Sequence, residues 1–383
     1  MNPKESREEE LMDDIAIEID LMDALFFAGH PEDAYRYAGV VAENAAAVSE
    51  RVAELCARIE EGIFNLYVEP EGAAEKLAGL VREAMPEFEA SGDEFALYIG
   101  FVGLTQFAHM RGQMDAKLDA AEQAVVHAQR TGLPHLELWP RMQLGVGRLF
   151  GTTPVSQLLA WLDEREEQEM RYSWFRSHRA HSLAMIGRFD EARSMAAELR
   201  ADQADRGARI GLALMKGHAS VEVELLGGDP AAAVEYGREG CRLLEELGER
   251  SWLSTAAGML AQALYALDRT EEAEAEAVRA AELGAQDDAM TQMLWRQVKA
   301  KVLARRGEWA EAERLAREAI AVGEETDMIN AQGDAYGDFA EVLTLAGKRD
   351  EARAALGRAL ELFERKGNLV MAGRMQARLA ELL

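Results

Sequence analysis

Residues 264–283, LYALDRTEEAEAEAVRAAEL, are followed by two stretches of the same design, LARRGEWAEAERLAREAIAV at 303–322 and LTLAGKRDEARAALGRALEL at 343–362. Each reads as the end of an apolar helix, a turn at Asp268, Gly307 or Gly347, a few polar residues, then an Ala-rich helix. The turns lie 307 − 268 = 39 and 347 − 307 = 40 residues apart, and five positions after each stands Ala273, Ala312 or Ala352. The frame extends backwards through Gly228 and Ala233, Gly187 and Ala192, Gly151 and Ser156, Gly112 and Lys117, Val68 and Ala73, and Gly29 and Ala34. Ser156 and Lys117 fit it less well. Nine turns over 347 − 29 = 318 residues give eight intervals of about 40. Self-similarity at such a period is the signature of a stacked helical array.

Turn chemistry agrees with this frame. Glycine reaches the left-handed conformation that ends a helix without steric cost. Pro31, Pro70, Pro154 and Pro230 fall two or three residues after a turn, in the first turn of the second helix, where a missing N–H is harmless. Asp190, Glu191, Glu271, Glu272, Glu311, Asp350 and Glu351 occupy first turns, where the helix dipole favours negative charge. The small residue five after the turn lets paired helices approach. Four and seven positions further on come Ala196 and Leu199, Ala277 and Ala280, Ala316 and Ala319, Leu356 and Ala359, one face of a helix. Seven and four before the turn stand Ala180 and Leu183, Ala261 and Leu264, Ala300 and Leu303, Ala340 and Leu343.

Composition narrows the function. The 383 residues include 67 Ala and only 8 Pro, which favours helix nearly throughout. The net charge is 42 − 69 = −27, which disfavours nucleic acid and anionic membranes, because phosphate recognition needs a basic surface. No apolar run approaches the roughly 18 residues of a membrane span. The polar, acidic start MNPKESREEELMDD does not read as a signal peptide, so a cytoplasmic location is expected. Cys56 and Cys241 lack a CxxC and sit in apolar-periodic helices, so they read as packed thiols rather than a disulfide or zinc site.

The layout of small and bulky apolar residues resembles the tetratricopeptide repeat (TPR), with a unit longer than the usual 34 residues. The resemblance implies an all-α, TPR-like α-α superhelical solenoid: about nine helix-turn-helix repeats spanning 1–383 as one continuous unit, with 369–383 as a capping helix. Over about 215–383 the chain also resembles the C-terminal helical region of actinobacterial-type class III adenylate cyclases and related ATPase-linked bacterial regulators. The phrases DDAMTQMLWR (287–296) and VLARRGE (302–308) carry that likeness. There is no GxxxxGK[ST] and no cyclase region, so neither ATPase nor cyclase activity is implied. The chain reads either as a stand-alone relative or as the sensor portion of something larger.

Catalytic and metal signatures are sparse. Gly145-Val-Gly147-Arg-Leu-Phe-Gly151 has one residue too many for a dinucleotide fingerprint and sits in a helical pattern. HExxH and GxSxG are absent. His178 and His181 share a helix face, but no third metal ligand is in frame, so no metal or cofactor is expected.

In the TPR architecture the first helix of each pair lines the concave face, at roughly three, six, ten and thirteen positions before the turn. That rule selects Gln106 and His109; Arg141 and Arg148; Trp174, His178 and His181; His218 and Glu222; Gln262 and Tyr265; Lys301 and Arg305; and Glu341, with Trp139 and Trp295 close by. The stripe is rich in Arg, His and aromatics, whereas the second helices carry much of the acid. A groove of that kind suits an extended peptide, an acidic partner segment or an anionic small molecule. The expected function is a non-catalytic interaction or sensor module that binds a peptide or protein on its concave face, in bacterial signalling or transcriptional regulation. The alternative is a sensor whose small ligand changes the curvature of the solenoid. A homodimer is left open.

Overall fold

The computed structural model describes residues 3–165 and 173–382, and these are helical with no β-strand among them. Met1 and Leu383, the ends of the expected solenoid and cap, lie outside the described residues. The helices form nine antiparallel pairs. They are α1 (Pro3–Ala28) with α2 (Pro31–Ala47), α3 (Arg51–Val68) with α4 (Ala73–Ser91), α5 (Glu94–Met110) with α6 (Met114–Thr131), and α7 (Leu138–Phe150) with α8 (Val155–Asp163). Next come α9 (Ser173–Met185) with α10 (Phe189–Asp205), then a helix built of α11 (Arg209–Leu214), a π-helical turn (Met215–Ser220) and α12 (Val221–Leu226), paired with α13 (Pro230–Glu246). The last pairs are α14 (Ser251–Ala266) with α15 (Thr270–Leu283), α16 (Ala289–Arg305) with α17 (Trp309–Glu324), and α18 (Ile329–Leu345) with α19 (Arg349–Lys366), before α20 (Leu369–Glu381). The fold is an all-α TPR superhelix.

The residues that set the repeat frame are the ones that pack. Ala273, Ala312 and Ala352 are fully buried, as are Ala277, Ala280, Ala319 and Ala359 on the same faces. Opposite them, Ala180, Ala261, Ala300 and Ala340, with Leu183, Leu264, Leu303 and Leu343, are buried in the first helices. Alanine at these points brings the two backbones close, and the leucines fill the space beside them.

The turns share one hydrogen-bond pattern. The Gly307 N–H donates to the Ala304 carbonyl and the Glu308 N–H to the Leu303 carbonyl, and the pattern recurs at Gly347 and Lys348, and at Asp268 and Arg269. This paired motif satisfies the last carbonyls of a helix, provided the turn residue is left-handed. Gly307 has φ +81° and Asp268 has φ +61°, so Asp268 holds without glycine a conformation that glycine adopts freely.

The poorer repeats depart from the frame for visible reasons. In the second pair Val68 is still helical and the left-handed residue is Gly72, four positions on. In the fourth pair Gly151 is extended, with φ −79° and ψ −156°, and the loop through Thr153 re-phases the helices. Ser156 is consequently exposed, and Val155, Leu158 and Leu162 take the buried face. Lys117 occupies an alanine position and is wholly buried, its Nζ donating to Gln143 Oε1 at 2.7 Å. Burial pushes its pKa down to about 7.

Successive turns of the superhelix touch one another. Helix α1 meets α11, α3 meets α14, α7 meets α18 and α9 meets α20, so the array returns on itself after about five repeats. Polar contacts sew these turns together. The Arg250 N–H donates to the Tyr67 carbonyl at 2.9 Å, and the Asp327 carboxylate accepts from the N–H groups of Met114 and Asp115 at 2.5 and 2.8 Å. Lys366 donates to three carbonyls of the α7–α8 loop, and Arg374 to the carbonyls of Leu225 and Leu226. The concave face is therefore roofed by neighbouring turns, not left as an open groove.

Candidate functional site

First-helix side chains face the interior and leave two chambers there. One, of about 230 Å³, is lined by α1, α3, α5, α7, α9, the π-helical segment and α14. The other, of about 620 Å³, is lined chiefly by α12, α14, α16 and α18 with the start of α20. Phe150, His181, Glu222, Met259, Met290 and Met328 belong to both walls, so the chambers adjoin at a methionine-rich neck. Methionine is unbranched and polarisable, which suits a surface that must accommodate varied shapes.

Of the residues expected on the inner face, Gln106, His109, Trp174, His178 and His218 line the first chamber. Gln262, Tyr265, Lys301, Arg305 and Glu341 line the second, and His181 and Glu222 face both. Trp139 also lines the first chamber. Arg141, Arg148 and Trp295 line neither. For the two arginines, the re-phased fourth repeat rotates α7 by about one residue, so Trp139, Met142, Val146 and Leu149 face inward instead. Arg141 bonds Glu137 at 2.7 Å, just before the start of α7, and the Arg148 guanidinium lies 4.7 Å over the Trp161 ring. Trp295 packs at the base of α16, its ring 4.2 Å beneath the Arg296 guanidinium.

The neck is polar on one side. His181 Nδ1 and Glu222 Oε2 lie 2.7 Å apart and the Phe150 ring meets the imidazole edge-on. His178, one helical turn away, is 3% exposed with an unpartnered Nδ1. Gly145 makes room for it, since a Cβ there would stand 2.5 Å from that nitrogen. Neither ring nitrogen of His218 has a partner; its place on a π-helical turn turns it toward the chamber. Burial lowers the pKa of His178 and His109 to about 3 and of His218 to about 4, so these imidazoles are neutral at pH 7.

The second chamber is walled by an internally bonded network. Lys301 Nζ donates to Gln262 Oε1 at 2.7 Å and to Asp338 Oδ1 at 2.9 Å, lying 4.6 Å over the Tyr265 ring. Arg305 stacks on the other part of that ring and pairs with Asp268, and the Tyr265 hydroxyl donates to Glu341. These cations are thus already engaged, and the first chamber has no Lys or Arg in its wall at all. The expected attraction for an anionic ligand is corrected accordingly: the wall of the first chamber carries Asp20, Asp23, Glu60, Glu222 and Asp288.

Several of these residues escaped the sequence reading although the spacing rule reaches them. Counting back from Gly29 gives Phe26, Asp23 and Ile19, all in the wall. In the second pair the displaced turn shifts the count, and the wall positions are Tyr67, Phe64 and Glu60. Cys56 and Cys241 are buried free thiols outside both chambers, with burial raising both pKa values. Among the described residues no group of three or more His, Cys, Asp or Glu is placed to hold a metal, and no helix is long and apolar enough to cross a membrane.

Comparison with known proteins places this architecture among the tetratricopeptide repeats. Tetratricopeptide-repeat models match residues 290–365, and also 173–198 and 254–279. The fold resembles that of a Rap protein complexed with competence and sporulation factor, at 11% identity and a TM-score of 0.56, covering 97% of each chain. It also resembles human IFIT1, solved as a dimer with PPP-AAAA, at 12% identity and a TM-score of 0.50, covering 94% of this chain and 87% of that one. A signal transduction ATPase with a tetratricopeptide repeat sensor from Pyrococcus horikoshii aligns at 14% identity and a TM-score of 0.42, over 92% of this chain and 54% of that one. No curated protein matches the sequence. These matches carry the repeat fold, and none of those named is a cyclase-linked regulator.

Proposed function

We propose that this chain is a non-catalytic regulatory module that takes a peptide, or an extended segment of a protein partner, into its inner channel. The observation that carries this reading is the wall that the two chambers share at Phe150, Met259, Met290 and Met328. A channel that runs along the superhelix axis suits an extended chain. Its walls combine aromatic and methionine surface with the side-chain amides of Gln106, Gln262 and Gln297, which would exchange their internal hydrogen bonds for ones to a peptide backbone. The full-length likeness to a Rap protein supports the same use of the fold. A role in signalling or transcriptional regulation, and a place within the cyclase-linked lineage, belong to this proposal.

The position of the first chamber between successive turns favours a second reading, a small ligand that sets the pitch of the coil. Its occupant would touch α1, α3, α9 and α14 at once, and so bridge successive turns.

The test uses a pool of fluorescein-labelled octapeptides of randomised sequence. Met259→Trp plugs the neck and should reduce the bound fraction at least tenfold by anisotropy. Val278→Trp on the outer helix α15 should leave it unchanged. Equal binding by the two variants would refute the channel as the site.

A further inference from the structure

The first chamber holds two neighbouring acidic side chains with no basic partner among the described residues. Glu60 is 4% exposed and faces the cavity beside Asp23, yet neither carboxylate has a hydrogen-bond donor or a basic partner among the described residues. Burial, then the neighbouring negative charge of Asp23, hold the Glu60 carboxyl well above the usual carboxylate range. Burial, then Asp20, push Asp23 up to about 7. Other acids of the same wall are matched: Asp20 lies 3.2 Å from His135, Glu222 pairs with His181, and Asp288 caps α16 through the Thr291 N–H.

Aromatic rings without a cation line the same chamber. Phe26, Tyr67 and Trp252 form a cluster with ring centroids 4.9, 4.7 and 5.8 Å apart, and all three line the chamber. Several other rings carry one of the chain's own cations: Arg148 and Arg165 on Trp161, Arg200 on Tyr236, Arg296 on Trp295, Lys301 and Arg305 on Tyr265. Among the described residues none covers the Phe26–Tyr67–Trp252 cluster. The Tyr98 hydroxyl, held above its usual pKa by burial and by Asp23 and Glu60, adds a further polar group to the same corner. The protonated Tyr98 hydroxyl can donate as well as accept but carries no charge, and the neutral His218 ring supplies no positive charge either.

We propose that this chamber is a binding site for an organic monocation: an ammonium or guanidinium group held between Asp23 and Glu60, with an apolar or aromatic body against Phe26, Tyr67 and Trp252. A positive group there would match the two unpaired carboxylates and the negative faces of the rings at one time. A chamber of about 230 Å³ admits a single such group with a short body, not a folded segment. The cation can arrive as a free amine or as one basic residue of a peptide threaded through the neck. The inference rests on the reading of the channel as the ligand site and adds the charge class of what occupies its first chamber.

The experiment is isothermal titration of the full chain with 4-phenylbutylamine, 4-phenylbutanol and 4-phenylbutyrate, alongside acetyl-Phe-Lys-amide and acetyl-Phe-norleucine-amide. Tryptophan fluorescence is followed in parallel. Either the amine or the lysine peptide should bind at least tenfold more tightly than its uncharged counterpart, and which of them does identifies the source. The Asp23→Asn/Glu60→Gln variant should lose that preference. The wild-type comparison of charged and neutral probes decides the matter even if the variant folds poorly. Equal affinity within both pairs, amine with alcohol and lysine peptide with norleucine peptide, or a preference that survives the double substitution, overturns the proposal and leaves the channel reading intact. Probes that neither bind nor change the fluorescence overturn this proposal; randomised peptides that bind equally well after Met259→Trp defeat the channel reading itself.

Discussion

The Lys366 ammonium donates to the carbonyl oxygen of Gly151 at 2.7 Å, across 215 residues of sequence. The same nitrogen reaches the carbonyls of Arg148 and Thr153 at 2.9 and 2.8 Å, so its three N–H groups meet three backbone acceptors. The side chain is wholly buried, and this lowers its pKa to about 7. The contact fastens the end of the ninth repeat to the loop of the fourth, and so closes one turn of the superhelix.

Lys366→Met keeps the apolar stem and removes all three donors. Three buried carbonyls lose their partner, at a cost of about 2–3 kcal/mol. The urea midpoint should fall accordingly, and amide hydrogen exchange around residues 149–155 should accelerate while the outer helices keep their protection. A midpoint equal to that of the wild type would show that the coil is closed by other contacts.

The turns of adjacent repeats make opposite predictions. Gly307 holds φ +81° with open space around it, so Gly307→Val is opposed by backbone strain of about 1–2 kcal/mol and little else. Asp268 already bears that strain at φ +61°, and its ion pair with Arg305 is exposed. Asp268→Gly should therefore stabilise by about 0.5 kcal/mol once the small loss of a surface pair is deducted. Thermal unfolding of the two variants checks both signs.

Glu249 supplies a pH test. Its buried carboxylate accepts the N–H groups of Trp252 and Leu253 at 3.0 and 3.1 Å at the start of α14, yet burial still raises its pKa to about 8. The folded chain thus keeps a proton that the unfolded chain releases near the usual 4.5. Stability from this group is full below pH 4.5 and is lost as pH rises toward 8, by at most ~1.4 kcal/mol per pH unit. Glu249→Gln does not titrate, so the variant should gain on the wild type between pH 5 and 8. Parallel melting-temperature curves would contradict this.

The repeat architecture was legible because alanine at a fixed distance from a left-handed turn has one structural use, and it recurs from Ala34 to Ala352. The inner face was legible wherever the turn kept its standard geometry, as at Gly112, Gly187, Gly228 and Asp268. It was misread at Arg141 and Arg148 because one extended glycine, Gly151, rotates α7 by about 100°, the arc of a single helical residue. Closure of the coil was not legible. It depends on Lys366, Asp327 and Arg374 meeting backbone groups far away in sequence, which no local pattern encodes. The acidic character of the first chamber was hidden for a related reason: net charge and repeat position say nothing about which carboxylates are left without a partner.

The most direct test of the channel as the binding site is photo-crosslinking from inside it. Benzoylphenylalanine is placed at position 259 in the neck, or at position 278 on the outer face of α15, and irradiated with the fluorescein-labelled octapeptide pool. The account predicts labelling at 259 that unlabelled pool competes away, and background labelling at 278. Equal labelling at both positions, or labelling at 278 alone, would contradict it.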